Sequence, residues 1–547
     1  MENRALRIHP KDNVIVALQD LEPGEIIQLG NQSFPIRERI PAKHKFFDQD
    51  LKLGNEIRMY GTIVGRIIQY AVRIGERMST ENTQHASGPY SFKNQKFKWM
   101  APDNQAYQGK SFMGFHRKDG RVGTANYWLF IPTVFCENRN LDIIREALNH
   151  ALGYEMTDKY KNYAHALVHK FQQDGKWSID EYDLLESPKS SRVFKNIDGI
   201  KFLNHSGGCG GTRQDSQSLS LLLAAYADHP NVAGITLLSL GCQHLQVQDF
   251  LRDLENRSPN FEKKVLIFEQ QASISEDKLI KDAIQKTLEQ LAIVNLEERS
   301  PAPLSSICLG VKCGGSDGFS GISANPAVGY TADLLVSLGA QVLLAEFPEL
   351  FGAEQELLDR MDDPKIAQKF IRLMEEYNAE AISVGSGFHM NPSPGNIKDG
   401  LITDAIKSMG ACKKGGTSPV IDVLDYTERA QKPGLSLVCT PGNDVESTTG
   451  KTASGANIIL FTTGLGTPTG NPICPVIKIS TNTRLATKMS DIIDINAGAI
   501  IDGFKTIEEM GEEILDFVIQ VASGEKIPKA VGLGQDDFIP WKRGVSL

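Results

Sequence analysis

A chain of 547 residues is too long to fold around one hydrophobic core and points to several domains, here three. Its 41% hydrophobic, 23% charged and 7% aromatic residues exclude a disordered or fibrous protein. A formal net charge of -9, a pI near 5.8 and the lack of any run of roughly 18 apolar residues argue against a nucleic-acid or membrane partner. Met1-Glu2-Asn3-Arg4 opens no signal-peptide core, so a cytoplasmic location is expected, where eight sparse cysteines stay reduced and free to bind metal or react.

From residue 14 to 79 short β-branched runs (Val14-Ile15-Val16, Glu25-Ile26-Ile27, Ile63-Val64-Gly65) alternate with turn signals such as Glu22-Pro23-Gly24 and Leu53-Gly54-Asn55, which predicts a small β-rich domain. Residues 83–111 are polar and broken by Ser87-Gly88-Pro89 and Pro102-Asp103-Asn104, and read as a linker. After Phe112 strands and helices alternate, the pattern of a parallel sheet covered on both faces. Strands are expected at 234–240, 265–268 and 306–309, with helices at 219–227 and 277–291. The last third repeats the alternation, with helices at 332–338 and 366–379 and strands at 341–345, 435–439 and 458–461. Such sheets bind ligands beyond the carboxyl ends of their strands, so function is expected in the glycine-rich strand exits.

Three cysteines stand in that setting: Cys209 in HSGGCGG, Cys242 in LGCQH and Cys313 in VKCGGSDG. Glycine lets a backbone approach a ligand, and thiolate is a soft metal ligand. A small buried thiol is the competing reading for each, weakened by the threefold recurrence. Cys136, Cys308, Cys412 and Cys439 read as packing residues, and Cys474 is ambiguous. His205 and His244 stand beside two of these cysteines and are candidate ligands or proton carriers, against the alternative of loop histidines. Lys312 and Lys414 are candidates to compensate carboxylate or enediolate charge, against the alternative of solvated loop lysines. Ser316, Asp317, Asn391, Asn443, Asp444 and Thr463 lie in loops of hydroxyls and amides suited to a hydroxylated, anionic substrate. No loop has a phosphate-loop ending or a dinucleotide fingerprint, which disfavours a nucleotide enzyme.

Residues 112–127 (FMGFHRKDGRVGTANY), 313–326 (CGGSDGFSGISANP), 391–396 (NPSPGN), 441–449 (PGNDVESTT) and 461–468 (FTTGLGTP) resemble, in order, the altronate and galactarate dehydratase family. Residues 40–45 and 60–65 are similar to the SAF, or β-clip, domain that precedes the catalytic region in that family. One departure stands out: the family's His-Thr-His-Asn segment reads Ser79-Thr80-Glu81-Asn82 here, with His85 nearby, so no role is carried over from those histidines. The resemblance implies dehydration of an aldonic or aldaric acid to a 2-keto-3-deoxy product, with ferrous iron as the usual cofactor. A base removes the proton beside the carboxylate while a Lewis acid stabilises the enediolate or assists the departing hydroxyl.

The expected protein is thus an α/β multidomain chain. It comprises an N-terminal SAF-like β-clip domain (1–82), a linker (83–111), a central α/β domain (112–300), where dimerisation is also expected, and a C-terminal Rossmann-like α/β domain with a mainly parallel sheet (301–547). Cys209, Cys242 and Cys313 are expected to converge on one metal, Fe2+ or alternatively Mn2+ or an iron-sulfur cluster. His205, His244 and Lys312 are the catalytic candidates; Ser316, Asp317, Asn391, Lys414, Asn443, Asp444 and Thr463 are the substrate-binding ones. A small-molecule sugar acid is the expected partner of a homodimer. D-altronate is the first choice of substrate, galactarate the second and sulfite elimination from sulfolactate a distant third. The rival classes are a non-catalytic sugar-acid binding protein and an iron-sulfur redox enzyme.

Overall fold

The computed structural model describes residues 4–155, 159–179, 191–544 and 546. In the N-terminal domain the strand Val14–Ala17 pairs antiparallel with Ala5–Leu6 and Lys45–Phe47, beside a hairpin of Ile26–Leu29 with Gln32–Pro35. A third unit joins Glu56–Met59, Thr62–Ile67 and Thr83–Gln84. Alternation decides the facing of the hairpin: Ile27 and Phe34 are buried while Gln28 and Ser33 are exposed. Residues 83–111 are not a free spacer. The Ser91 amide donates to Gln355 Oε1 (2.9 Å), the Phe97 amide to Asp362 Oδ1 (2.8 Å) and Trp99 Nε1 to Thr417 Oγ1 (3.1 Å), so the segment is fastened along the C-terminal domain.

The central domain carries a four-stranded parallel sheet of β1 (Tyr127–Pro132), β2 (Gly199–Phe202), β3 (Val232–Ser239) and β4 (Lys264–Glu269), in the order β2-β1-β3-β4. Helices Arg213–Asp228 and Glu276–Val294 flank it, each started by a hydroxyl cap: Thr212 accepts from the Asp215 amide and Ser275 from the Lys278 amide. Ser111–His116 pairs antiparallel with Ser300–Pro303, clasping the two ends of this domain together.

The C-terminal sheet has seven parallel strands, β5 (Cys308–Cys313), β6 (Gln341–Ala345), β7 (Val420–Leu424), β8 (Gly434–Val438), β9 (Ile458–Thr463), β10 (Val476–Ser480) and β11 (Ile495–Asn496). Their order is β7-β8-β6-β5-β9-β10-β11. Every residue of β5 and β9 is buried, as both faces of a helix-covered parallel sheet require. Connections run from β5 toward β7, then return to β9 on the other side of β5, which makes β5 and β9 the point where strand order reverses. The strand expected at 306–309 begins two residues later and ends at Cys313, so Lys312 and Cys313 belong to the strand rather than to the turn after it.

Candidate active site

Beyond the carboxyl ends of β5, β6 and β8 lies a cleft of about 540 Å³, walled by the loops after those strands, by helix Pro364–Ser383 and by residues 386–396. Ser316, Asn391, Asn443 and Asp444 line it, together with Asn396 of the 391–396 segment and with Glu349 and Lys407, which the sequence did not single out. Asn443 also caps helix Asp444–Ala453, accepting from the Val445 and Glu446 amides (3.0 and 3.2 Å), so the first turn of that helix is held at the cleft wall. Lys407 Nζ lies 2.9 Å from Glu349 Oε1 and donates to Asn391 Oδ1 (2.8 Å).

Below the cleft, Lys312, Cys313, Glu346 and Lys414 form a buried cluster. Lys414 Nζ donates to Cys313 Sγ (2.7 Å) and to Glu346 Oε2 (3.1 Å). Lys312 pairs with Glu346 and with Asp444 Oδ1 (2.9 Å), and donates to the Gly442 carbonyl (3.2 Å). Cys313 Sγ is 3.7 Å from Glu349 Oε2. Burial opposes the charge of Glu346, yet the ammoniums of Lys312, Lys414 and Lys451 hold its carboxyl well below the usual range. Burial pushes the Cys313 thiol up, and Lys414 works against that shift. Glu346 has φ of 75°, an uncommon conformation for a residue with a side chain and one that clusters at functional sites. Its position directly after β6 was a readable signal, because strand exits were where ligands were expected.

The three cysteines do not share an ion. Among the described residues, only Cys313, Glu346 and Glu349 place three possible metal-ligand atoms within 4.8 Å of one another. Cys209 and Cys242 are exposed and follow β2 and β3 of the central sheet, whereas Cys313 ends a strand of the C-terminal sheet. The expected convergence took all three exits to belong to one sheet, and they belong to two; a cluster on these three cysteines therefore has no site here. The remaining set, one thiol and two carboxylates, fits a divalent transition metal by donor chemistry.

His205 is buried with both ring nitrogens engaged: Nε2 donates to the Pro132 carbonyl (2.8 Å) and Nδ1 accepts from the Gly207 amide (3.1 Å). Burial pushes its pKa down to about 4, so it is a neutral structural histidine rather than a ligand or proton carrier. His244 and Cys209 line a separate cavity of about 140 Å³ closed by residues 538–542. Asp317 and Thr463 turn away from the substrate cleft. Asp317 accepts from Ser320 Oγ and Thr481 Oγ1 (both 3.0 Å), and Thr463 Oγ1 accepts from the Gly466 and Thr467 amides (2.9 and 3.1 Å). Cys136, expected to be packed, is exposed; Cys474 is buried. His229, at the end of helix Arg213–Asp228, is buried and donates to the Ala456 carbonyl (2.9 Å).

Ser79-Thr80-Glu81-Asn82 folds on itself, with Asn82 Oδ1 accepting from the Ser79 amide (2.9 Å). His85 instead reaches the C-terminal domain, where it stacks on Phe351 (centroids 5.5 Å apart), and Phe351 packs edge-on against Phe388 of the cleft wall.

Three family models match the chain: an altronate/galactarate dehydratase SAF domain over residues 3–86, a D-galactarate dehydratase/altronate hydrolase second domain over 114–295 and a D-galactarate/altronate dehydratase C-terminal domain over 304–546. The chain is 31% identical to altronate dehydratase of Escherichia coli (strain K12) over 522 residues and 31% identical to altronate dehydratase of Bacillus subtilis (strain 168) over 524, with 95% of each chain covered in both cases. It is 31% identical to galactarate dehydratase (L-threo-forming) of Escherichia coli (strain K12) over 529 residues, 95% of this chain and 93% of that one.

Proposed function

This chain belongs to the altronate and galactarate dehydratase family and is a hydro-lyase, and from that premise we propose that it converts D-altronate to 2-dehydro-3-deoxy-D-gluconate in the cleft over β5, β6 and β8. The observation that carries the choice is the charge of the cleft: Lys407 is the cation among its lining residues, against the carboxylates of Glu349 and Asp444. One ammonium suits the single carboxylate of an aldonate, and the second carboxylate of galactarate would meet Glu349 or Asp444. Ser316, Ser393, Asn391, Asn396 and Asn443 supply hydroxyls and amides for the chain of hydroxyl groups.

In this reading Lys407 binds the substrate carboxylate. Glu349, held between Lys407 and Cys313, takes the proton from C2. Loss of the C3 hydroxyl as water leaves an enol, which tautomerises to the ketone. The ammoniums of Lys312 and Lys414 lie beneath the cleft floor, where they stabilise negative charge developing on the enediolate. Ferrous iron is the proposed cofactor, with Cys313, Glu346 and Glu349 Oε2 to hold it, which leaves Glu349 Oε1 to take the proton; when bound it would supply Lewis-acid stabilisation of the enediolate.

The test is kcat/KM for D-altronate and galactarate, measured anaerobically with and without Fe2+. A preference for D-altronate is expected, and Glu349→Gln should lower kcat for either acid without unfolding the chain. Preference for galactarate overturns the substrate reading; full rates after complete chelation, with metal content verified, overturn the cofactor.

A further inference from the structure

The N-terminal domain touches the cleft from behind, through a turn at residues 41–45. Lys43, with φ of 77°, places Nζ 2.9 Å from Asp317 Oδ2 and 3.5 Å from Asp399 Oδ1. His44 Nε2 donates to the Lys398 carbonyl (3.0 Å). Lys45 is fully buried and donates to the Gly400 and Lys43 carbonyls (2.7 and 3.0 Å). Backbones meet closely here: a Cβ at Gly318 or Gly400 would lie 2.3 or 2.4 Å from the Lys43 carbonyl oxygen, so both positions need glycine.

These contacts fall on two separate stretches of chain that form opposite parts of one wall. The 314–320 loop follows β5 and carries Ser316; the 391–400 segment carries Asn391 and Asn396. The Gly318 amide donates to the Asp399 carbonyl (2.8 Å) and Asn396 Nδ2 to the Ser316 carbonyl (2.7 Å), which ties the two together. Asp317, fully buried between them, receives hydrogen bonds from the Phe319 amide, Ser320 and Thr481, and its remaining charge is met by Lys43 from the other domain. Ser316 lines the cleft, whereas Asp317, the next residue, is buried behind it.

We propose that Lys43 and Lys45 are positioning residues: through Asp317 and the Gly400 carbonyl, the N-terminal domain fixes the spacing of the two loops and so the place where Ser316, Asn391 and Asn396 meet the hydroxyls of a sugar acid. The inference rests on the functional reading above. None of the groups proposed to handle protons is touched, so the effect falls on binding. Removal of Lys43 alone leaves the Asp317 carboxylate buried without its cation, which is strongly destabilising. The double substitution removes both charges and isolates the positioning role.

The test uses the full chain with Lys43→Met/Asp317→Asn, Lys45→Met and Lys43→Arg. We expect the double variant to fold, with KM for D-altronate raised about tenfold and kcat changed less than about threefold. Amide hydrogen exchange over residues 314–320 and 396–400 should quicken, and Lys43→Arg, which keeps the charge, should recover part of KM. A KM within about twofold of wild type and unchanged loop exchange in the double variant would falsify the inference. If the unmodified enzyme turns over no sugar acid, the functional reading fails by itself, and loop exchange still decides whether the domain holds the wall: quickened exchange supports it and unchanged exchange overturns it.

Discussion

Lys312 and Lys414 carry their charge in the interior, where both are matched to Glu346, Lys312 with Asp444 and the Gly442 carbonyl besides and Lys414 with the Cys313 thiol. Lys414→Met leaves Glu346 with one cation fewer, and breaking a buried pair costs about 3–5 kcal/mol. A lowered denaturant midpoint is expected along with a loss of turnover; an unshifted midpoint would show that the pair is not buried in solution. His205→Gln is expected to act on stability alone, with a lower Tm and kcat/KM within about threefold, since its nitrogens serve the backbone at Pro132 and Gly207. A thousandfold rate loss without unfolding would restore His205 as a catalytic candidate. Asp404 gives a pH test. Burial raises its carboxyl from 3.8 to about 7, and among the described residues its Oδ2 has no hydrogen-bond partner, with His85 Nδ1 3.7 Å away. The folded state binds that proton more tightly, so the stabilisation is fully present below about pH 3.8 and is lost as pH rises through about 7. Asp404→Asn should therefore raise the Tm at pH 8 and leave it unchanged at pH 4; equal gains at both pH values would show that the carboxyl is not held protonated.

Among the α-helices of the described residues, Lys159–Asp174 is the one that buries none of its side chains. A helix of 16 residues is marginal in water without an apolar face covered by something else. Val168 and Phe171 are exposed on it, and Phe171 stacks on Trp177 (centroids 4.2 Å apart). If a homodimer forms through this face, Val168→Asp/Phe171→Asp should lower the sedimenting mass; an unchanged mass would remove the helix from any interface. The C-terminal tail has the opposite character. Asp536 Oδ1 lies 2.7 Å from Lys201 Nζ, Phe538 packs edge-on against Tyr226, and the Arg543 amide donates to Asp215 (2.9 Å), so residues 533–544 return from the last domain to seal the central one.

For the whole molecule, the N-terminal domain and the cleft domain share one core. Val14, Phe47, Ile57 and Val64 pack in the same buried cluster as Phe319, Ile322, Leu401, Ile402 and Ile406. Deleting residues 1–82 uncovers that surface, so loss of turnover should come with aggregation or binding of a hydrophobic dye. A soluble, monodisperse deletion variant with normal turnover would argue that the two domains are independent.

The sequence by itself determined the local elements and the family. Alternation fixed the N-terminal hairpin, apolar runs fixed the parallel strands, and the loops carrying Ser316, Asn443 and Asp444 were legible as cleft loops because strand exits collect ligands, that of Asn391 because it gathers hydroxyls and amides. Tertiary structure alone decided which exits meet. Cys209, Cys242 and Cys313 look alike in sequence, yet two of them leave one sheet and the third ends a strand of another. Glu349 and Lys407 are ordinary helix-and-turn residues until folding brings them within 2.9 Å, and Asp317 reads as a substrate ligand until Lys43 arrives from another domain. Facing along a strand follows from a period of two that any short segment carries; partners across domains depend on sheet order and docking, which no local pattern encodes.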